Sequence, residues 1–288
     1  MSFKSLGTVI LASALCAGLV TLALRPAEQA NSNKSETTLD RIARTRTVRC
    51  AYLVAPPELI RDPNTGAFSG IGPDIWAEIA RRLNLRIEWT EEVNFVTMPE
   101  GLNKGRYDAF CLSAYRWPPS LTEVAYTSPL FYSVTGIYVR AGSAIAKETD
   151  PEKLNRSDLT VAAIDGEASG FIQQGQFPKT KTLSLPQSSD LSLALESVAD
   201  GKADMTFANP LMIMPYMLAH PDKVVKLDTP AVGMQSHGFG VSKNELAWRQ
   251  TVDNVVQDML ADGTMDKILS RYETVPHSLI RVASPLRP

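Results

Sequence analysis

The side chains that most often bind metals or carry out catalysis are scarce in this sequence. It contains three cysteines and three histidines. None of them stands in a CxxC, HxxxH or HExxH spacing. Zinc sites and small folds with many disulfides depend on such spacings. The sequence therefore predicts no metal site and no cofactor.

Two glutamates stand where a carboxyl group could contact a ligand or act as a general acid. Glu58 follows the turn of Pro56 and Pro57, and Glu167 lies in residues 165–169, which begin a helix. Helix N-termini attract anions through free N–H groups and the helix dipole. Glu167 would then be a site residue or an acid that stabilises the first helical turn, and in either role it would repel an anionic ligand. Burial in a cleft would raise the pKa of either glutamate and suit it to donate a proton.

Alternating strands and helices must position these residues. The hydrophobic pattern predicts strands over residues 47–54, 85–89 and 109–112. It predicts helices over residues 74–83, 97–103, 245–260 and 265–272, and no regular structure after Pro276. Strands separated by helices imply parallel βαβ units. The fold class is therefore α/β.

A repeated pattern indicates two similar lobes. Residues 102–110 (LNKGRYDAF) resemble residues 198–206 (VADGKADMT). In both, an apolar helix ends in glycine and a basic residue, and an aspartate then opens an apolar strand. Each strand leads to a polar loop with proline, at residues 115–119 and 209–210. A helix–strand junction can share these features without duplication, which is the alternative.

The overall charge excludes several classes of protein. The chain has 29 basic and 31 acidic side chains, a net charge of −2, and 44% hydrophobic residues. These are ordinary globular proportions, so disordered and collagen-like proteins are excluded. Without an excess of Lys and Arg to neutralise phosphates, no nucleic-acid partner is expected.

The N-terminus differs from this average. Residues 6–24 carry no charge, Lys4 precedes them, and Arg25 and Pro26 follow. Residues 1–26 are therefore a cleaved export signal or a retained membrane anchor. Residues 27–44 are predicted to be a polar tether. With either outcome the remaining chain lies outside the cytoplasm, in the periplasm or anchored to the inner membrane by residues 6–24.

Several short runs, taken in order, resemble extracellular solute-binding proteins of the polar-amino-acid type, family 3. The resemblance covers almost all of residues 45–273. The runs are residues 47–52 (TVRCAY), 56–57 (PP), 68–70 (FSG), 73–75 (PDI), 105–108 (GRYD), 126–132 (YTSPLFY) and 261–268 (ADGTMDKI).

This resemblance implies a two-lobed, periplasmic-binding-protein-like type II fold. Two parallel-rich sheets flanked by helices would be joined by two hinge crossings, near residues 135–139 and 239–242. Lobe 1 would be residues 45–136 plus 242–288, and lobe 2 residues 137–241. The ligand would lie in the cleft between the lobes.

The resemblance also implies a function. The lobes would close on a small polar solute and present it to an ABC-type importer permease or a sensor. The alternative is a dehydratase-like enzyme on the same fold that acts on cyclic acids. Those substrates are anionic and would need a cationic anchor, for which Arg116 is the candidate.

The implied ligand site departs from the family pattern. Ser120 stands where an arginine usually holds the ligand α-carboxylate, and a hydroxyl cannot replace that bidentate pairing. Arg116 either reaches the cleft in its place or is a solvated loop residue. Asn209 stands where an aspartate usually holds the α-ammonium, and it carries no charge.

The remaining implied positions favour a neutral polar or cationic ligand over a standard α-amino acid. Phe95 is either one apolar wall of the site or an ordinary core residue. Glu167 and Ala168 stand where small hydroxyl residues usually leave a helix N-terminus open. The complete set of ligand-binding residues implied by the resemblance is Glu58, Phe95, Ser113, Tyr115, Arg116, Ser120, Glu167, Ala168 and Asn209.

The cysteines divide into two groups. Cys16 lies in the apolar N-terminal segment. The family's sheet sets the strands of Cys50 and Cys111 side by side, which implies a Cys50–Cys111 disulfide outside the cytoplasm. Two buried free thiols are the alternative.

Overall fold

Residues 36–116 and 118–282 are described by the structure, which is a computed structural model. The apolar segment 6–24, with Cys16, lies outside these residues. The chain from Thr38 onwards belongs to one compact unit. Among the described residues, the search for a membrane-crossing helix found no candidate of sufficient length and hydropathy.

The described chain alternates strands and helices, as the hydrophobic pattern predicts. The helices are α1 (Thr38–Thr45), α2 (Ile71–Leu83), α3 (Met98–Asn103), α4 (Ala168–Gln176), α5 (Leu191–Ala199), α6 (Met214–Ala219), α7 (Leu246–Ala261) and α8 (Thr264–Ser270). The strands are β1 (Thr47–Tyr52), β2 (Ile60–Arg61), β3 (Phe68–Ser69), β4 (Arg86–Glu92), β5 (Ala109–Tyr115), β6 (Val124–Tyr126), β7 (Phe131–Arg140), β8 (Thr160–Ile164), β9 (Lys181–Leu185), β10 (Met205–Ala208), β11 (Val224–Lys226), β12 (Gly233–Ser242) and β13 (Leu279–Arg281).

Two of these elements differ from the sequence expectation. Helix α1 occupies the end of the range predicted as a tether, because Leu39 and Ile42 pack into the core beside β1. Strand β13 forms in the tail predicted to be irregular, because it pairs with residues 131–133 of β7.

The strands form one large mixed sheet in the order β4-β1-β5-β12-β7-β10-β8-β9. Strand β1 is parallel to β4 and β5, and β8 is parallel to β9 and β10. The central pair β7 and β12 is antiparallel. The parallel βαβ units predicted from the sequence therefore occur on both sides of this central pair, which confirms the α/β class.

Strand β7 changes partners along its length. Residues 131–135 pair with β12, and residues 136–139 pair with β10. Strand β12 pairs with β7 over residues 233–237 and with β6 over residues 240–242. We call the strands β1, β4, β5, β6, β12 and β13 the first sheet part, and β8 to β11 the second.

Helices cover both faces of each sheet part. In the first part, α2, α7 and α8 enclose Trp76 and Trp248 on one face, and α3 covers the other. In the second part, α4 and α5 lie on opposite faces. Strand β5 is buried on both faces for this reason, whereas edge strand β4 alternates between exposed and half-buried residues.

Cys50 and Cys111 form a disulfide between β1 and β5, which confirms the pairing that the family resemblance implied. Their Cα atoms are 5.5 Å apart, and both residues are completely buried. The bond therefore joins two adjacent parallel strands inside the core.

Candidate ligand-binding cavity

A cavity of about 210 Å³ lies between the two sheet parts and is lined by residues of both. Such enclosed pockets at the carboxyl ends of parallel strands are where small ligands bind in α/β proteins. Most residues of the predicted ligand-binding set line this cavity: Glu58, Phe95, Ser113, Tyr115, Glu167, Ala168 and Asn209.

The two remaining predicted residues do not line it. One Arg116 guanidinium nitrogen donates a hydrogen bond to the Thr127 carbonyl oxygen at 2.6 Å. Arg116 lies instead beside a second depression, next to Met234 and Gln176. Ser120 is buried, and its hydroxyl lies 2.8 Å from that of Tyr126. Both side chains therefore make contacts outside the cavity wall.

A tight loop between β1 and β2 holds Glu58 in the cavity wall. The backbone N–H of Gly72, at the start of α2, donates to the Glu58 carbonyl at 2.9 Å. A Cβ at position 72 would lie 2.6 Å from the Cys111 carbonyl oxygen, so only glycine lets α2 approach this closely. Glu58 is 5% exposed as a result.

Glu58 belongs to a buried network with Ser113 and His237. The Ser113 hydroxyl donates to the Glu58 carboxyl group. His237 Nδ1 lies 2.6 Å from the Ser113 carbonyl oxygen and 3.8 Å from Glu58 Oε1. Because a carbonyl only accepts, Nδ1 carries the proton, and Nε2 accepts from the Ser133 hydroxyl at 2.8 Å.

Burial sets the charge of this network. Loss of hydration raises the pKa of Glu58 to about 8, although the Ser113 hydrogen bond opposes the shift. The same loss lowers the pKa of His237 to about 4, opposed by its hydrogen bond to the Ser113 backbone. At neutral pH these shifts favour the uncharged form of both groups.

The central strands add amide and hydroxyl groups that the sequence reasoning missed. Gln235 Oε1 accepts from Thr135 Oγ1 at 3.2 Å and lies 3.3 Å from Ser133 Oγ, whose proton goes to His237. Gln235 and His237 are two residues apart on β12 and share a face. Polar residues that alternate along a strand next to a predicted hinge crossing are the sequence feature that could have identified these cavity residues.

Glu167 faces the cavity from the second sheet part. Left-handed Gly166, with φ of 74°, turns the chain after β8 and places Glu167 just before α4. Its carboxylate caps no helix N–H and instead accepts from the Tyr115 hydroxyl at 3.0 Å. Burial raises the pKa of both the Glu167 carboxyl and the Tyr115 hydroxyl. This contact joins the two sheet parts directly.

Phe95 and Asn209 have both structural and cavity-lining roles. The Phe95 ring packs against Phe110 at 5.9 Å and Tyr115 at 5.6 Å between ring centroids. Asn209 Oδ1 accepts from the backbone N–H of Leu211 at 2.8 Å. The Asn209 oxygen is therefore used by its own loop, and its amide nitrogen is the group left for the cavity.

The sequence profile of the bacterial extracellular solute-binding proteins, family 3, matches residues 48–275. The chain belongs to this family. Membership makes it a solute-binding protein and not an enzyme, and places its working location outside the cytoplasm.

Two curated proteins illustrate the relationship. A probable amino-acid ABC transporter-binding protein of Haemophilus influenzae is 22% identical over 229 residues, which are 80% of this chain and 85% of the relative. The L-cystine-binding protein TcyA of Bacillus subtilis is 22% identical over 220 residues, which are 75% of this chain and 76% of the relative.

A solved structure supports the fold. The ancestral amino acid-binding protein that is a precursor of cyclohexadienyl dehydratase superposes with a TM-score of 0.66 at 24% identity. The match covers 82% of this chain and 99% of that protein.

Few of the side chains that line the cavity are ionisable. Its ionisable lining side chains, among the described residues, are Glu58, Tyr115, Glu167 and His237. None of the described lining residues is Lys or Arg. The described residues also contain no cluster of three His, Cys, Asp or Glu that could hold a metal.

Proposed function

We propose that this protein captures a small polar solute in the cavity between the two sheet parts and delivers it to an ABC-type importer. The observation that carries the proposal is the cavity lined by residues of both sheet parts. The names of the two curated relatives support the importer as partner. The solute is neutral or cationic, because the described cavity lining offers no positive side chain to an anion.

We further propose that the lobes hinge at the central strands. Lobe 1 comprises residues 45–136 plus 242–288, and lobe 2 residues 137–241. The partner change of β7 at Thr135 and Gly136 supports the first crossing. For the second crossing, the pairing of Gly233 with Thr135 favours a position at the start of β12, earlier than residues 239–242, which would move residues 233–241 from lobe 2 to lobe 1.

Residues 6–24 are proposed to direct the chain to the periplasm, as a removed signal or a retained anchor. Mass spectrometry of the mature protein distinguishes the two. An N-terminus beyond residue 24 indicates removal, and an intact N-terminus in the membrane fraction indicates an anchor.

A thermal-shift screen of the purified protein tests solute binding. The panel contains amino acids, amines, sugars and cyclic acids. A solute at about 100 times its Kd stabilises the folded state by about 2.7 kcal/mol. For a chain of this size that corresponds to a rise in Tm of roughly 5–10 °C.

Two variants of α4 locate the binding. Ala168→Phe fills the cavity and is expected to abolish the shift, because Ala168 lines it. Gln174→Phe adds the same ring at an exposed position of the same helix and should leave the shift unchanged. A panel without any hit, or a shift that survives in Ala168→Phe, contradicts the proposal.

A further inference from the structure

The cavity contains acidic side chains without basic counterparts. Glu58 and Glu167 both line it, and no described lining residue is Lys or Arg. A ligand carboxylate enclosed there would lose its hydration without gaining a cationic partner, and this is energetically costly. The α4 N-terminus does not remedy this, because the Glu167 carboxylate lies beside it.

The two carboxyl groups are held at separate points along one strand. Ser113 binds Glu58, and Tyr115 binds Glu167. These two residues of β5 are two positions apart, so their side chains share a face. With a rise of about 3.3 Å per residue, the two anchor points are roughly 6.6 Å apart.

The cavity size limits the ligand that could bridge these points. Its volume is about 210 Å³. At roughly 30 Å³ for each water molecule, this holds about seven of them. A short aliphatic chain with one cationic group at each end fits this volume, and Phe95 and Leu53 supply apolar contacts for its methylene groups.

We infer that the solute is a small aliphatic amine or guanidine with cationic groups at both ends and no carboxylate, bound between Glu58 and Glu167. This inference rests on the proposed solute-binding function and narrows its substrate class. Bound cations at each carboxyl group would form charge-assisted hydrogen bonds, which are stronger than neutral ones.

Binding of such a solute must release a proton. In the empty cavity Glu58 is protonated at neutral pH because burial raises its pKa to about 8. A cation favours the ionised carboxylate, so the affinity increases as the pH rises towards 8. The other ionisable side chains that line the cavity with Glu58 are Tyr115, Glu167 and His237. His237 stays neutral above its lowered pKa of about 4.

Calorimetry with matched pairs of compounds tests the inference on the purified full chain. Agmatine is compared with arginine and 1,4-diaminobutane with ornithine, since each pair differs by the carboxylate. At pH 7.5 at least one amine is expected to bind at least tenfold more tightly than its amino acid. Tighter binding of either amino acid than of its amine would overturn the inference.

Three variants and a pH series make the test specific. Glu58→Gln and Glu167→Gln are each expected to weaken amine binding at least tenfold. Asp165→Asn removes the same charge two residues from Glu167, at an exposed position held by Ser184, and should change the affinity less than twofold. Wild-type affinity should fall between pH 7.5 and 6, and it should fall less in Glu58→Gln.

The outcomes separate this inference from the proposed function. If neither amine binds but another compound of the thermal-shift panel does, the diamine class is wrong and solute binding stands. If no compound of the panel binds, both proposals fail. Equal loss of affinity in Asp165→Asn and Glu167→Gln would also overturn the role of Glu167.

Discussion

At the scale of single residues, Glu58 and His237 are neutral for the same physical reason. In water, Glu58 loses a proton and His237 gains one near its ordinary pKa, because water hydrates the charged form. Both side chains lose that hydration in the cavity wall, so the uncharged form is favoured. Their hydrogen bonds with Ser113 satisfy polar atoms without supplying a counter-charge. The folded protein therefore binds protons differently from its unfolded chain, and its stability depends on pH.

Substituting Glu58 by Gln should change that dependence in a defined direction. The folded pKa of Glu58, about 8, is raised above its ordinary value of 4.5. The contribution of Glu58 protonation to the unfolding free energy is therefore complete below pH 4.5, and it is lost as the pH rises through 8. Glu58→Gln cannot ionise, so between pH 5 and pH 9 its unfolding free energy should rise relative to wild type by on the order of 4 kcal/mol.

Chemical denaturation of both proteins at pH 5, 7 and 9 measures this difference. Glu123→Gln serves as the control, because Glu123 is exposed and pairs with Lys243 away from the cavity. Parallel stability curves for Glu58→Gln and wild type would show that Glu58 is already ionised in the folded state.

At the scale of elements, the repeated sequence pattern corresponds to a repeated contact. Asp108 donates its backbone N–H to Arg49 O and accepts the Arg49 N–H on its side chain, at 2.8 and 2.7 Å. Asp204 makes the same pair of bonds with Thr160, at 2.8 and 2.7 Å. In both copies the aspartate ties the start of its strand to the neighbouring parallel strand. This shared geometry supports duplication of the unit.

The two aspartates differ in their charged partners. The Asp108 carboxylate is completely buried and also pairs with the guanidinium groups of Arg41 and Arg49. Asp108→Asn keeps the hydrogen bond from the residue 108 N–H to the Arg49 carbonyl oxygen, but it leaves the Arg41 and Arg49 guanidinium groups without their carboxylate. We expect it to lower the unfolding free energy by about 3 kcal/mol.

Asp204→Asn is the matched control for this prediction. It makes the same isosteric change at the equivalent position, where the described structure contains no salt bridge to Asp204. Its cost should be below about 1 kcal/mol. Urea denaturation of the two variants measures both values, and equal costs would mean that the arginines contribute nothing.

Whether an element could be predicted from the sequence depends on how clear its own apolar pattern is. Strands β1 and β5 and helices α2 and α7 could be predicted because their apolar residues recur with the period of the element. Helix α1 was missed because its apolar side consists of little more than Leu39 and Ile42. Strand β13 was missed because three residues of strand are defined by pairing with distant β7, not by their own pattern.

At the scale of the whole molecule, the cavity depends on a few contacts between the proposed lobes. Strand β7 pairs with strands of both sheet parts, and the Tyr115–Glu167 hydrogen bond links the two parts across the cavity. This bond therefore stabilises the arrangement in which the two sheet parts lie close together.

Tyr115→Phe should shift the protein towards an open arrangement. Loss of one hydrogen bond of about 1 kcal/mol corresponds to a roughly fivefold change in the ratio of open to closed molecules. Small-angle X-ray scattering of the solute-free protein is expected to show a larger radius of gyration in this variant. Saturating solute should restore the wild-type value.

Tyr126→Phe provides the control, because the Tyr126 hydroxyl contacts Ser120 within the first sheet part. Its radius of gyration should equal that of wild type. Equal scattering from all three proteins would mean that the Tyr115–Glu167 bond does not hold the lobes together.

The cavity-lining residues that could be predicted are those that the family resemblance implied from runs of sequence. Glu58, Glu167 and Asn209 are examples, and all three line the cavity. Ser133, Gln235 and His237 meet because β7 and β12 pair in one register across about a hundred residues of sequence. A single sequence contains no direct signal for that register.

The Cys50–Cys111 bond makes the stability of the fold depend on whether the chain has been oxidised. A newly synthesised chain in the reducing cytoplasm lacks this bond, since oxidation occurs only after export. Without it the fold loses about 2–4 kcal/mol of a total that is typically 5–15 kcal/mol. The cross-link therefore adds its share of the stability only after the chain has reached an oxidising compartment.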